Sequence, residues 1–395
     1  VAEDVKNMLA DWELKSTASE SSGHIQVDID NPRVPPKMKK PTVEEPIVNP
    51  PDRPQPSLTE NPNRLQDKKE GDGGENTKVS GEPETGIKFD VGVTSRALTE
   101  ATVSFSPGNT ALTQLNTGIV GDLGTGKTQL IQALILQLTT AVNLNRGSSP
   151  NILIFDYKKD YCKDDFIKAT GAKVVSPRNI PLNLFDTRDS QLDKKFAQNE
   201  RFKFFTDVLD KIYSNIGPVQ RQRIKEAVKQ AYASSERLGR PAPTLDDVFS
   251  AYKNDGARVD TPYGILEDLV EGEHFVSDAS KAVPFSEFMT GVVVIDLYSI
   301  GADDRTKNML VVIFLNMFYE HMLKIDKKPF LGSDPQSRFV DSMLLVDEAD
   351  NIMKYEFDVL KKILLQGREF GVGVILASQY LSHFNTKHEN YIEPL

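Results

Sequence analysis

The sequence predicts an α/β fold, built on a mostly parallel central sheet with helices on both faces. Four apolar runs carry this expectation: residues 151–156 (NILIFD), 292–296 (VVVID), 343–347 (MLLVD) and 373–378 (GVILAS). Strands buried on both faces read as such unbroken β-branched runs, with polar residues only at their carboxyl ends. A second observation agrees. Residues 116–120 enter as another strand, a glycine-rich turn follows, and Leu130, Ile131, Leu134, Ile135 and Leu138 then recur at helical spacing. Strands alternating with amphipathic helices require the helices to cover the sheet.

Ahead of these strands, residues 87–95 (IKFDVGVTS) and 101–108 (ATVSFSPG) alternate apolar and polar positions, as a β-hairpin or a pair of edge strands would. Residues 1–15 fit one short amphipathic helix, with Val5, Met8, Leu9 and Trp12 on one face. Residues 16–86 read as a disordered proline-rich linker. No aromatic residue occurs from 13 to 88, and 11 of the 23 prolines fall between positions 32 and 83, so too little apolar area is available to offset ordering entropy. The prolines fit a plain tether or a docking ligand. The globular domain is expected over residues 87–395, interrupted at 191–290 by a helical insertion. There Phe205, Val208, Leu209 and Ile212 share a face and Pro218 opens a second helix. The chain begins at Val1 and stops at Leu395 in what reads as continuing sequence, so a truncated piece of a longer protein is expected.

A net charge of −10 excludes whole-surface attraction to nucleic acid, so any DNA contact must be a local patch or a pore lining. Residues 194–240 carry 11 Lys or Arg against 5 Asp or Glu, whereas residues 241–290 carry 3 against 10. That division fits a nucleic-acid face or ordinary solvated helix surfaces. No apolar run is long enough to span a membrane, and the first residues lack a signal peptide's basic and apolar regions, so a cytoplasmic protein without membrane contact is expected. Cys162 is the single cysteine, which excludes an intrachain disulfide and a multi-cysteine zinc site.

Residues 121–128 read GDLGTGKT. Gly121, Gly126, Lys127 and Thr128 satisfy the G-x-x-x-x-G-K-[ST] pattern, in the strand and helix context it needs. Asp122, Leu123, Gly124 and Thr125 complete the loop, and Gln129 follows it into the helix. Glycines let the backbone wrap phosphates closely, with N–H groups pointing inward at the positive end of the helix. Lys127 is expected to reach the β- and γ-phosphates of ATP, and the Thr128 hydroxyl to ligate Mg2+. Asp347, ending the third apolar run, supplies the complementary acid that holds the metal through water. Glu348 then orients or deprotonates the attacking water. A helix start enriched in acids is the competing reading of this pair.

The tetrapeptide DEAD at 347–350 does not make a DEAD-box helicase, because 219 positions separate Thr128 from Asp347 and too little chain follows for a second lobe. Gln379, just beyond GVILAS, emerges at the sheet edge that carries Asp347, where it can sense the γ-phosphate or position water. Arg368, in the GREFG turn, is a candidate arginine finger acting in trans, or else a surface arginine. Asp156, Asp160 and Asp296 also lie at or near strand ends; Asp156 and Asp296 either cap adjoining loops or act in catalysis.

The ordered segments GDLGTGKT, ILIFDYKKDY, IPLNLFD, GPVQRQRIKEAVKQAY, VVVIDLYSIG, LLVDEAD and GREFGVGVILASQ resemble the HerA–FtsK superfamily of hexameric, DNA-translocating P-loop ATPases over residues 87–384. The resemblance implies a RecA-like P-loop NTPase fold, Mg2+-dependent ATP hydrolysis, duplex DNA as a partner and a homo-hexamer. It also implies Arg368 as finger and Gln379 as sensor. The IFDYKKDY and IPLNLF wording is similar to the ATPase region of DptH-type proteins of phosphorothioation-dependent DNA restriction. That implies a motor in a restriction or defence complex with nuclease partner proteins. The chain departs from the superfamily in having Tyr380 where arginine-proline is frequent, and in lacking the usual strands after the sensor. Two other classes fit the same core: a conjugation or secretion coupling ATPase, and a nucleotide-switched assembly scaffold.

Overall fold

The structure is a computed structural model that describes residues 86–94, 101–188, 190, 192–212, 216–254, 259–333 and 336–395. The helix expected over 1–15 and the linker expected over 16–86 lie, apart from Gly86, outside the described residues. The two alternating segments form the expected hairpin: β1 (Phe89–Val93) pairs antiparallel with β2 (Thr102–Phe105). Phe89 and Phe105 sit opposite each other with rings edge-to-face at 5.3 Å.

Six strands form the main sheet: β3 (Thr117–Val120), β4 (Asn151–Asp156), β5 (Lys173–Val175), β6 (Val292–Asp296), β7 (Ser342–Val346) and β8 (Val372–Ser378). Their spatial order is β3-β8-β7-β4-β6-β5, and every neighbouring pair is parallel. All five expected strands appear, with ends shifted by at most a residue. The edge strand β5 was not expected, since three residues are too few to show a period.

The helices are α1 (Lys127–Thr140), α2 (Asp164–Thr170), α3 (Lys194–Ile212), α4 (Pro218–Arg237), α5 (Leu245–Asn254), α6 (Thr261–Glu271), α7 (Phe285–Phe288), α8 (Asp304–Met322), α9 (Asp350–Met353) and α10 (Asp358–Gln366). Strand alternation sorts the apolar side chains onto two faces. Ile152, Ile154, Met343, Leu345, Ile375 and Ala377 pack with Ile131, Leu134, Ile135 and Leu138 of α1 and Phe166 of α2. Leu153, Phe155, Val293, Ile295, Leu344, Val346 and Leu376 pack on the other side with α8 and α10. There Phe155 meets Phe314 edge-to-face at 6.3 Å. Asp303 starts α8 by accepting the Arg305 and Thr306 amides, each at 3.1 Å, and the Thr306 hydroxyl at 2.6 Å. These bonds, the Thr306 hydroxyl first, hold its carboxyl below the ordinary carboxylate range.

Helices α3 to α7 lie between β5 and β6. Phe205, Val208 and Leu209 of α3 are buried on one face, as their spacing predicts, and join Ile224, Val248 and Leu266 in the same apolar cluster as the sheet. Pro218 opens α4, and the Gln220 side chain accepts the Gly217 amide at 2.9 Å. Asp260 opens α6: it accepts the Tyr263 amide at 3.1 Å, receives the Tyr252 hydroxyl and pairs with Arg223 at 2.9 Å. The basic stretch 194–240 is partly offset: three acids from outside it, Glu320, Asp260 and Asp247, meet three of its six excess cations. Lys194, Arg201, Lys203, Arg221, Arg223, Lys229 and Arg240 each pair with an acid, at Glu236, Glu320, Glu200, Asp210, Asp260, Glu226 and Asp247 respectively.

Beyond β8 no further strand follows among the described residues. The chain instead returns beside β3, where the Asn116 side-chain amide donates to the Pro394 and Leu364 carbonyls at 2.7 and 2.8 Å and its oxygen accepts the Val374 amide. Phe384 and Tyr391 are buried in this return. No described helix is long and apolar enough to cross a membrane.

Candidate functional site

The loop at 121–128 joins β3 to α1 at the carboxyl edge of the sheet. Gly124 and Gly126 have φ of +80° and +86°, where a side chain would strain the backbone. A Cβ on Gly121 would stand 2.6 Å from the Thr125 hydroxyl, which itself donates to the Asp122 carbonyl at 2.8 Å. The turn is therefore tight and self-bonded. Leu123 is 82% exposed at its apex, Asp122, Gly124 and Thr125 are exposed, and Gln129 is exposed on α1. Lys127 lies back along the loop, its ammonium donating to the Gly121 and Asp122 carbonyls at 2.5 and 3.1 Å.

One strand, β8, separates β3 from β7, and it is stitched to the loops of both. The Gly121 amide donates to Ser378 O at 3.4 Å, and the Ala349 amide to Ala377 O at 2.7 Å. This register places the start of α1 against the end of β7. The Thr128 hydroxyl donates to Asp347 Oδ2 at 3.0 Å, across 219 positions of sequence. The Tyr161 hydroxyl donates to the same oxygen at 3.0 Å, and the Glu348 amide reaches Oδ1. Asp347 is only 6% exposed. Burial holds its carboxyl above the ordinary range; the Tyr161 and Thr128 hydroxyls pull it back, and the charge of Glu348 adds to the rise. Tyr161 is itself raised, by burial and then by Asp347.

Glu348 has φ +61°, in the left-handed region, and its carboxylate forms an ion pair with Lys158. Burial pulls the Lys158 ammonium down, but the bond and charge of Glu348 outweigh it and leave the group raised. Lys158 and Tyr161 both come from the turn after β4. Asp156 organises that turn: Oδ1 accepts the Lys158 and Asp160 amides at 3.1 and 3.2 Å, and Oδ2 accepts the Tyr161 amide at 2.8 Å. Asp296 does likewise for Ser299 after β6, and Asp160 pairs with Lys163. Of the two readings offered for Asp156 and Asp296, loop capping is the one the geometry supports.

Gln379 is half-buried one residue beyond β8, at the edge shared by the loop and Asp347. Arg368 stands elsewhere. It belongs to the turn Gly367–Phe370 before β8, at the opposite edge of the sheet, where it donates to Thr113 O at 2.6 Å beside Arg338. A strand of seven residues, about 20 Å long, separates it from its own loop. It therefore has no part in the site of its own chain.

Sequence reasoning missed Lys158 and Tyr161. Their partners lie 190 and 186 positions away, so no local spacing signals them. The only trace was the wording DYKKDY itself.

A glycine loop leading into a helix, facing an acid at the end of a parallel strand one strand removed, is the arrangement of the RecA-like P-loop NTPase fold. One solved structure is alike in fold, and others match more weakly. VirB4 of Thermoanaerobacter pseudethanolicus matches over 77% of this chain and 79% of its own, with 14% identity and a TM-score of 0.52. The bacterial conjugative coupling protein TrwBΔN70 matches over 68% of this chain and 63% of its own, at 13% identity and a TM-score of 0.41. The plasmid coupling protein TrwB in complex with ADP and Mg2+ gives 15% identity, 68% and 65% coverage, and a TM-score of 0.41. No family model and no curated protein matches the sequence.

Proposed function

We propose that the protein is an ATPase that binds ATP with Mg2+ in the loop at 121–128 and couples hydrolysis to movement of a polymer, with duplex DNA as the favoured substrate. The observation that carries this reading is the contact between Thr128 and Asp347, flanked by Glu348. A hydroxyl and a buried carboxylate 3.0 Å apart are the oxygen donors a hard cation takes. Magnesium is characteristically held by one or two carboxylates together with substrate phosphates, so this half-site fits it.

In this reading Lys127 leaves the Gly121 and Asp122 carbonyls for the β- and γ-phosphates. The loop amides and the positive end of α1 receive the remaining phosphate oxygens. Thr128 and Asp347 would hold the metal between them. When bound, Mg2+ offsets phosphate charge. Glu348 accepts a proton from the attacking water, and Gln379 fixes that water or reads the γ-phosphate. Arg368 of a neighbouring subunit completes the site, and the sequence resemblance supports a homo-hexameric ring as that assembly.

The likeness in fold to VirB4 supports a coupling ATPase of the conjugation and secretion kind. A restriction motor with nuclease partners is supported by the IFDYKKDY and IPLNLF wording alone. A slow nucleotide-switched scaffold is the reading that turnover separates from both. The ion pairs along α3 and α4 offset about half of the excess charge of residues 194–240 and leave that face basic.

The test is ATP hydrolysis with and without duplex DNA. Hydrolysis stimulated by DNA, lost in Lys127→Ala and reduced to a residual rate measurable in single turnover in Glu348→Gln, is expected, with nucleotide binding retained in Glu348→Gln. Tight ATP binding without turnover in the wild type would favour the scaffold, and absence of stimulation by any nucleic acid would overturn the DNA motor.

A further inference from the structure

The turn between β4 and α2 contributes two side chains to the acidic pair, and Lys158 is the one the hydrolytic reading leaves without a task. We infer that Lys158 is a positioning residue for Glu348: its ion pair fixes the carboxylate that activates water, and it acts through that carboxylate. This inference rests on the proposed ATPase reading and names how its base is set in place.

Three observations support it. The Lys158–Glu348 pair links two loops from neighbouring strands, β4 and β7, across 190 positions, and the Glu348 side chain is 13% exposed. The Lys158 side chain is 48% exposed, so the pair brings a solvent-facing cation onto an enclosed carboxylate.

The Lys158 end is anchored from three sides. Asp156 accepts amides at 158, 160 and 161, and the Gln132 side chain of α1 donates to the Asp160 carbonyl at 3.1 Å. Tyr161, 1% exposed, ties the far end of the turn to Asp347. The ammonium is therefore carried on a turn whose backbone is already fixed.

The third observation is backbone conformation. Lys159 and Glu348, next to and within the pair, have φ of +66° and +61°, a region costly for residues with a Cβ. Such positions persist where the surroundings over-determine them. Here they sit on both sides of one ion pair and bring its two charges together.

The experiment is single-turnover ATP hydrolysis by the full chain as wild type, Lys158→Ala, Lys158→Arg, Glu348→Gln and the Lys158→Ala/Glu348→Gln double variant, with ADP affinity and melting temperature measured on each. Misplacing a catalytic group by about 1 Å costs up to about 100-fold. Lys158→Ala is therefore expected to slow hydrolysis by about 10- to 100-fold, with ADP affinity within about twofold of wild type and Lys158→Arg restoring most of the rate. The double variant should match Glu348→Gln within about twofold, because a residue that acts through Glu348 has nothing left to act on. A double variant slower than Glu348→Gln by the full factor of Lys158→Ala overturns the inference, as does an unchanged rate in Lys158→Ala. Should Lys158→Ala fail to fold, Lys158→Arg decides: a rate equal to Glu348→Gln in a folded arginine variant also overturns it. A wild type that hydrolyses no nucleotide brings down the ATPase reading and this inference together.

Discussion

Tyr161→Phe isolates one hydrogen bond at the metal half-site. The ring is enclosed and packs edge-on against Phe166 at 5.3 Å, so phenylalanine keeps the packing. What disappears is the O–H donated to Asp347 Oδ2 at 3.0 Å. A hydrogen bond to a charged group contributes about 1.5–3 kcal/mol, which corresponds to about 10- to 100-fold in an equilibrium constant. Of the two hydroxyls that offset burial of the Asp347 carboxyl, only Thr128 remains, so burial pushes that carboxyl further up and its ionised form becomes harder to keep. The expected result is a Mg2+ half-saturation for ATP hydrolysis raised about 10- to 100-fold, the range that lost outer-shell partners of metal ligands produce. The rate at saturating Mg2+ should fall less. Mg2+ titrations of wild type and variant, at fixed saturating ATP and with melting curves in parallel, measure this. Superimposable titrations would refute the reasoning, since they would show that Asp347 needs no donor from the β4 turn.

Three further outcomes are expected. Arg368→Ala should lower hydrolysis by about 1,000-fold or more if the arginine serves a neighbour's site; mixing it with Lys127→Ala, itself inactive, should recover activity, and mixtures no more active than their components would remove the trans role. Asp303→Ala removes the cap of α8 and should cost about 1 kcal/mol, or about 2–4 °C in melting temperature. Because Asp303 titrates below its ordinary 3.8, its stabilisation is present above that pH and is lost as pH falls through the folded value, so wild type and variant should converge in acid melts. Phe314→Ala should cost about 3–5 kcal/mol by opening a cavity beside Phe155 and Phe288, read by denaturant unfolding.

The sheet was legible because burial on both faces writes each long strand as an unbroken apolar run, and the loop because phosphate binding restricts several adjacent positions. Asp347 and Glu348 followed from the same logic, as acids at a strand end. Lys158 and Tyr161 were not legible. Their roles arise from the strand order, which sets β4 beside β7, and no local period encodes that neighbour relation. The charge of residues 194–240 left two readings open for a related reason. Its cations find acids on α3, α4, α5 and α8 and at the cap of α6, so the net charge of a linear window overstates the field at the folded surface.

The opposite placement of Arg368 and the glycine loop has a consequence for assembly. If each subunit offers its arginine at one end of the sheet and requires one at the other, an antiparallel two-fold pair can exchange both arginines at once, whereas a larger assembly must run its contacts head to tail. Every subunit then acts as donor on one side and acceptor on the other. The angle turned at each step decides between a closed circle and an open helix. In a closed circle, nucleotide turnover at one junction reaches the next always in the same sense, which gives the assembly a direction before any substrate enters it.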